Sequence, residues 1–554
     1  MKKFSRLKKL AVSVALVLLV ITFLPALRFR KLENNNPLPE SFSKGVFHVH
    51  STFSDGKGDL DEITTAAGEL DFVVLTDHGS PNLRSASATQ WLHGVIVIGG
   101  SEFNLEGQHL AAAGFSAPTY LFTPETQESI DEMNRNHGIS FISHPFFRGN
   151  PWTDWSVENH TGIELINAHT SASLFRFSRL LLIPRYFARP DFAMLSTLEY
   201  PKATVAVWED MNRTNRHSGI FALDAHARLG VGFGQHVHLP TYVQMFALLN
   251  VYVKHGEVLS DVAEDAAASL VASMRAGSFF NCIEGIAPAN GFDAVFESDT
   301  GDRVEMGEAS TTHSGKLHIR LPFEFPTHVV VMRNGETFCE FEHNEETDLI
   351  VNISEAGVYR IEVFATASTF DNLPWIMSNP FFLATERARN APPVPVAREL
   401  LASGPEFFRV EHDPGSEGSL VQKIGDETTV IGLRYALSED IVTREHFVAL
   451  ANRKPRRFVG LEGLTLRARS DKRSRYWLMF RTNADGTETW YRHSFVADHE
   501  WSVVTVPFNK FRVHYGEDRP PDLEAVSSLF ISIDNRIALP GASGTLFAKD
   551  LSLF

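Results

Sequence analysis

Only two cysteines, Cys282 and Cys339, occur in 554 residues, so neither a disulfide framework nor a cysteine-rich zinc module can hold this chain together. Basic residues are also scarce. The 51 Lys and Arg against 67 Asp and Glu give a formal net charge of -16. No basic cluster offsets this beyond the first 31 residues, and an acidic chain repels a polyanion, so no nucleic acid partner is expected. Charged residues at 21% and hydrophobic ones at 44% match globular composition and exclude a largely disordered, collagen-like or polytopic membrane chain. No short-period repeat is present. At roughly 150 residues per domain the length allows three or four domains.

The sequence does contain one long apolar run. Leu10 to Leu27 is uncharged and would extend about 27 Å as a helix, close to the hydrocarbon thickness of a bilayer. Lys2, Lys3, Arg6, Lys8 and Lys9 precede it, and only Arg28, Arg30 and Lys31 follow closely. The expectation is a signal anchor over 1–32, a single-pass transmembrane helix with the bulk of the chain outside the cytoplasm, periplasmic or extracellular. A cleavable signal peptide is the rival. Its apolar region is normally shorter, and no small-x-small site surrounds Pro25, Ala26 and Leu27.

A polar tether is expected over 33–43. From 44 to 285 short apolar runs alternate with helical patterns, which predicts parallel strands. From 290 to 385 apolar and polar residues alternate, as in Lys316 to Leu321 and Val358 to Ala365, which predicts a β-sandwich. A linker over 386–400 carries Pro392, Pro393 and Pro395, and a second all-β module is expected over 401–554.

Chemistry-bearing residues gather where the apolar runs of 44–285 end. His48 and His50 stand at i and i+2 and share a strand face, and the turn Ser51 to Gly56 can return Asp55 toward them. Phe72 to Thr76 ends in Asp77 and His78. Val95 to Ile98 leads to Glu102, Ile139 to Ile142 to His144, and Ile220 to Leu223 to Asp224 and His226. Parallel-strand barrels collect functional groups at the rim formed by strand C-termini, so these separate motifs predict one site. Imidazoles mixed with carboxylates suit zinc, manganese or iron, and a carboxylate such as Glu102 could bridge two ions.

The order His-x-His, Asp-His, Glu, His-Pro, Asp-x-His resembles the polymerase and histidinol phosphatase (PHP) family of metal-dependent phosphoesterases over about residues 44–230. The resemblance implies a distorted (β/α)7 barrel with two or three divalent metal ions. The ligands it implies are His48, His50, Asp55, His78, Glu102, His109, His144, Asp224 and His226. The anchor and two appended β modules also resemble the carbaryl-hydrolysing metallohydrolase branch. In the last module, Gly463 to Arg469, Trp501 to Phe508 and Lys549 to Leu553 resemble galactose-binding-like jelly rolls, for which glycan is a candidate ligand.

Arg148 and Arg228 follow rim motifs and are candidates to hold an anionic substrate through forked hydrogen bonds. Glu164 and Asn167 end another apolar run and either orient metal ligands or cap a strand. Gly232 and Gly234 make the region of His236 and His238 read as a loop, outside the ligand set. Trp477, Trp490 and Tyr491 either stack on a sugar or lie in the core. The expected function is a membrane-anchored hydrolase of a small-molecule ester, a phosphoesterase attacking with metal-bound hydroxide, while Asp224 or a histidine protonates the leaving group. Carboxylic or carbamate ester hydrolysis, and glycan binding by a protein with an inactive barrel, are the alternatives.

Overall fold

The computed structural model describes residues 20, 23–105, 107–123, 125–173, 182–232, 235–256, 258–344, 346–384, 399–400, 407–424, 429–440, 446–484 and 486–554. The chain forms two compact units, one of residues 1–117 and 124–388 and one of residues 118–123 and 389–554.

The first unit opens with β1 (Phe42–Val49), β2 (Phe72–Leu75), β3 (Gln90–Leu92), β4 (Val95–Ile98), β5 (Gly100–Leu105), β6 (Gln108–Ala113), β7 (Ile139–Ile142), β8 (Gly162–Asn167) and β9 (Ser218–Ala222). A short hairpin of β10 (Leu229–Gly232) and β11 (Gln235–Val237) follows, then β12 (Asn250–Lys254) and β13 (Phe279–Cys282). β2, β4 and β7 are buried at every position, which is why β2 and β4 read as unbroken apolar runs and β7 as one interrupted only by Ser140. β1, β2 and β4 pair in parallel, and so do β7, β8 and β9. Gly45 permits the first of these pairings, because a Cβ there would lie 2.4 Å from the Phe72 carbonyl oxygen.

Parallel bridges Val49–Ala225 and His78–Glu102 join the two sheets at their strand ends. One rim therefore carries the ends of β1, β2 and β9 and the start of β5. Phe47, Val74, Ile98, Phe141 and Ile220 form the core beneath that rim, and helix Ala263–Ala276 contributes Leu270 and Met274 to it. Burial of such side chains contributes about 1.5–3 kcal/mol each.

The structure corrects the expected fold class. β structure dominates, and the regular alternation of parallel strand and helix breaks down: β5, β6 and β7 pair antiparallel, as do β12 with β1 and β13 with β12. The strands expected to make a sandwich over 290–385 divide between two sheets. Asp293–Ser298, Arg303–Glu305, Gly315–Arg320 and Asp348–Ile353 form one of four strands. Strand Pro374–Ser378 instead pairs with β13 and carries the sheet of β1 and β2 on through Gly357–Ala365 and Thr327–Arg333. The physical reason is edge satisfaction, since the backbone groups of the fully buried β13 need a partner strand.

The expected transmembrane helix, and the single-pass membrane localisation resting on it, are also corrected. Among the described residues no helix is long and apolar enough to cross a membrane. Residues 10–19, 21 and 22 of the expected span lie outside the described residues. At its end Ala26 is buried, as is Phe29 just beyond it, and the Phe29 ring packs 5.8 Å from Phe192 and 5.5 Å from Phe370. These apolar groups are covered by protein. Of the expected proline linker, 386–398 also lies outside the described residues.

The second unit contains two six-stranded sheets. Leu433, Leu464 and Leu553 of one face Tyr476, Phe480 and Ile531 of the other in a shared core.

Candidate metal centre

Strand ends place the imidazoles. At the end of β1 the register slips between Val46 and Val49, and His48 takes φ 68°. His144 and Asp224 sit at φ 28° and 53°, also in the left-handed region. L-residues bear a cost there of order 1–3 kcal/mol, which persists only where the surroundings over-determine the conformation. The bends point these side chains inward, and the His48 and His50 Nε2 atoms meet 3.0 Å apart. Tyr242 fixes the exit of β1, its hydroxyl donating to the His50 carbonyl at 2.8 Å and accepting from Gly58 N–H at 3.1 Å.

Glu102 lies at the centre, 1% exposed. Its Oε2 faces His78 Nδ1 at 3.2 Å, His48 Nε2 at 3.4 Å and His50 Nε2 at 3.5 Å. Its Oε1 faces His109 Nδ1 and His144 Nε2, both at 3.1 Å. Asp224 Oδ1 stands 3.3 Å from His50 Nε2, 3.3 Å from His226 Nδ1 and 3.6 Å from His48 Nε2. Asp55 Oδ1 approaches His226 Nε2 at 3.1 Å, and its Oδ2 accepts from Arg228 Nη1 at 3.2 Å. All nine expected ligand residues thus converge. His109 arrives on an antiparallel hairpin in which it pairs with Asn104 while Glu102 pairs with Ala111, so His109 and Glu102 share a face.

The donors fit divalent metal. Glu164 Oε1 engages His48 Nδ1 at 2.5 Å, so Nε2 is the nitrogen that faces His50 and is placed to ligate. His50 Nδ1 and Asp55 Oδ1 are buried 3.8 Å apart without a hydrogen bond between them, and His78 Nδ1 is buried 3.2 Å from Glu102 Oε2 without one. Buried lone pairs facing one another are costly unless a cation lies between them. Three overlapping sets bring ligand atoms close enough to share an ion: His48, His50 and Glu102; His50, Asp55, His78 and His226; and His78, Glu102 and His109. Imidazole with carboxylate suits zinc, manganese or iron.

The charges of the cluster pull one another strongly. Burial alone would raise Glu102, but His48, His109 and His144 hold it well below the usual carboxylate range. Asp224 behaves likewise, with burial overcome by His48 and His50. Burial and then the neighbouring His226 lower His50 to about 4. His226 itself is raised to about 9, because bonding to Asp55 and the charge of Asp224 outweigh its burial.

Around the ligands, Glu164 Oε2 accepts from the His144 backbone N–H at 2.8 Å and from Asn167 Nδ2 at 3.0 Å. Asp77 is fully buried and accepts from Ser51 N–H, Ser51 Oγ and Ser54 Oγ, which tightens the turn carrying Asp55. His169, its ring 5.2 Å from that of His226, escaped the sequence reading. Its signal was the spacing Asn167-x-His169 after β8, the same i and i+2 pattern as Asp224-x-His226. Arg148 is exposed, and among the described contacts it makes none with the cluster. The region expected as a loop holds the β10–β11 hairpin, with His236 on β11 and His238 exposed.

In the second unit Trp477 and Tyr491 are buried and unavailable for stacking on a sugar. Trp490 is partly buried, with the Arg481 guanidinium 3.4 Å over its ring.

Residues 443–540 match the family model for complex I intermediate-associated protein 30. No curated protein matches the chain. Among solved structures, the chain is similar to a two-domain Bacteroides vulgatus protein containing a predicted PHP-like metal-dependent phosphoesterase. That likeness has 15% identity and a TM-score of 0.30, and covers 64% of this chain and 98% of that one. The chain is also similar to a family 11 carbohydrate-binding module from Clostridium thermocellum, at 13% identity and a TM-score of 0.24, over 29% of this chain and 97% of that one.

Proposed function

We propose that the first unit is a metal-dependent hydrolase of phosphoesters. The observation that carries this reading is Glu102, whose two oxygens face different groups of imidazoles and so suit a bridge between two cations. When bound, such ions lower the pKa of water and stabilise charge on the attacked group. The chain's own residues do the rest. Glu164 fixes His48 through its Nδ1 proton. Asp224, buried at the reacting face, or a histidine of the cluster passes a proton to the leaving oxygen. Arg228, a third exposed and tied to Asp55 through Nη1, offers its remaining N–H groups to an anionic substrate at the mouth. Arg148, further out, guides anions only by its charge.

Carboxylic or carbamate esters are the alternative substrates at the same centre. The test is the metal-reconstituted full chain on a panel of phosphomonoesters, phosphodiesters, carboxylic esters and carbamates. Phosphoester turnover that chelator abolishes and Glu102→Gln removes is the expected result, and turnover of neutral esters alone would overturn it. For glycan binding by the second unit, the 66% exposed Tyr515 is the ring open to a sugar, since Arg481 covers a face of Trp490.

A further inference from the structure

Two cavities adjoin the cluster, and their walls differ in chemistry. On the side of His144 and Glu164 lies one of about 710 Å³ that also presents Asn167, Thr170, Glu199 and Lys202. On the side of Asp224 and His226 lies one of about 580 Å³. Apart from the cluster residues, its wall is largely Leu182, Met194, Leu239, Met245 and Leu248. Met194, Met245 and Leu248 are 8%, 5% and 4% exposed whereas Phe187 is 76% exposed, so the wall runs from a buried apolar floor to an open apolar edge.

The few hydroxyls of that wall are already engaged. Thr197 Oγ1 donates to the Met194 carbonyl at 2.7 Å, and Tyr186 donates to Gln244 Oε1 at 2.5 Å. Among the described residues, a guest there finds further hydrogen-bonding side chains at the end where His169, Asp224, His226 and Arg228 stand. A cavity of this size is in the usual range for small-molecule sites, about 300–1,000 Å³, and water gains little in an apolar recess.

We propose that this cavity holds an uncharged, apolar organic group of the substrate, so that the ester cleaved at the cluster is one of an apolar alcohol. The inference rests on the hydrolase reading above and adds the class of leaving group. The bond broken joins phosphorus to the alcohol oxygen. Water supplies the hydroxyl that joins phosphorus, and its remaining proton leaves on the oxygen of the apolar alcohol.

The test uses the full chain loaded with zinc and a series of 4-alkylphenyl phosphates from methyl to butyl. Each added methylene should raise kcat/KM by about two- to fourfold, as expected for burial of apolar surface. A second readout needs neither metal nor turnover: binding of 4-butylphenol to chelator-treated protein, measured by calorimetry. Ala172, on the wall but exposed, allows filling of the cavity without disturbing the core. Ala172→Trp should weaken 4-butylphenol binding at least tenfold and flatten the alkyl series at unchanged zinc content, and Ala172→Glu should do the same by placing charge in the recess. Hydrolysis with a flat series and no 4-butylphenol binding overturns the cavity assignment and leaves the hydrolase reading standing. Binding that Ala172→Trp abolishes, in a protein that cleaves no ester, supports the cavity as an apolar site and overturns the hydrolase reading.

Discussion

His48 gives its Nδ1 proton to Glu164, and the 2.5 Å bond between them decides which nitrogen of His48 faces the cluster. Glu164 touches no other imidazole nitrogen among the described contacts, yet it also takes the His144 backbone N–H, so one carboxylate orients two ligand-bearing strand ends. Removing its charge should weaken metal binding without removing a ligand. Glu164→Gln is expected to lower zinc affinity about tenfold, and Glu164→Leu up to about a hundredfold. Competition against a chromogenic chelator measures this. Unchanged affinity in both variants would remove Glu164 from the centre.

Glu102 and His109 should not be equivalent. Glu102→Gln keeps the volume but takes away the charge that faces both groups of imidazoles, whereas His109→Ala removes one neighbour of Oε1. Elemental analysis should find a larger drop in bound metal for Glu102→Gln. Equal occupancy in the two variants would count against a bridging carboxylate.

Metal should stabilise the fold as well as supply chemistry, because ions that bind the native cluster and not the unfolded chain add stability by mass action. At a hundredfold excess over Kd the gain is about 2.7 kcal/mol. Thermal unfolding of the chelated protein should shift upward on adding zinc or manganese. The same titration with His50→Ala should give a smaller shift.

The arginines should separate. Arg228 is linked to Asp55 at the mouth, and Arg148 is exposed. For phosphomonoesters, Arg228→Ala should lower kcat/KM by about tenfold or more at unchanged metal content, and Arg148→Ala by about twofold or less. Equal losses in the two variants would mean that the substrate lies further out than proposed.

A pH effect is expected far from the cluster. His160 is 4% exposed, stacks on His217 with ring centres 4.2 Å apart, and has no hydrogen-bond partner on either ring nitrogen. Burial, and secondarily His217, lower its pKa well below the usual histidine value. The unfolded chain therefore binds a proton near pH 6.5 that the folded chain refuses. Its contribution is fully present above that pH and declines as pH falls below it, by up to about 1.4 kcal/mol per pH unit. Denaturant melts between pH 7.5 and 5 should show wild type losing more stability than His160→Leu, and parallel losses would refute the assignment.

The sequence revealed the strand ends because β2, β4, β7 and β9 are buried runs with a polar or charged residue within three positions of their ends, and that contrast survives without any long-range information. His109 was less legible, since Gln108–Ala113 has neither strict alternation nor a bulky apolar run, and its place depends on pairing with β5 and β7. Glu164 was visible only as a polar residue in an apolar strand, compatible with a cap or an orienting group. The joining of Pro374–Ser378 to β13 spans about a hundred residues and has no local signal. Hydropathy also misled at Ala26, because an apolar residue shielded by protein reads the same as one shielded by lipid.

The hairpin that carries Glu102 and His109 obeys a rule of parity. Side chains alternate along each arm, so lengthening the loop between Leu105 and Gln108 by one residue on each arm leaves the deeper pairs in step and merely carries the tip outward. A single residue added within one arm between Glu102 and His109 reverses everything beyond it, and either the imidazole or the carboxylate turns its back on the cluster. Variation in the chain length between these two residues is therefore tolerated in even steps, and the tip can be rebuilt, extended or labelled while the two side chains keep facing the same way.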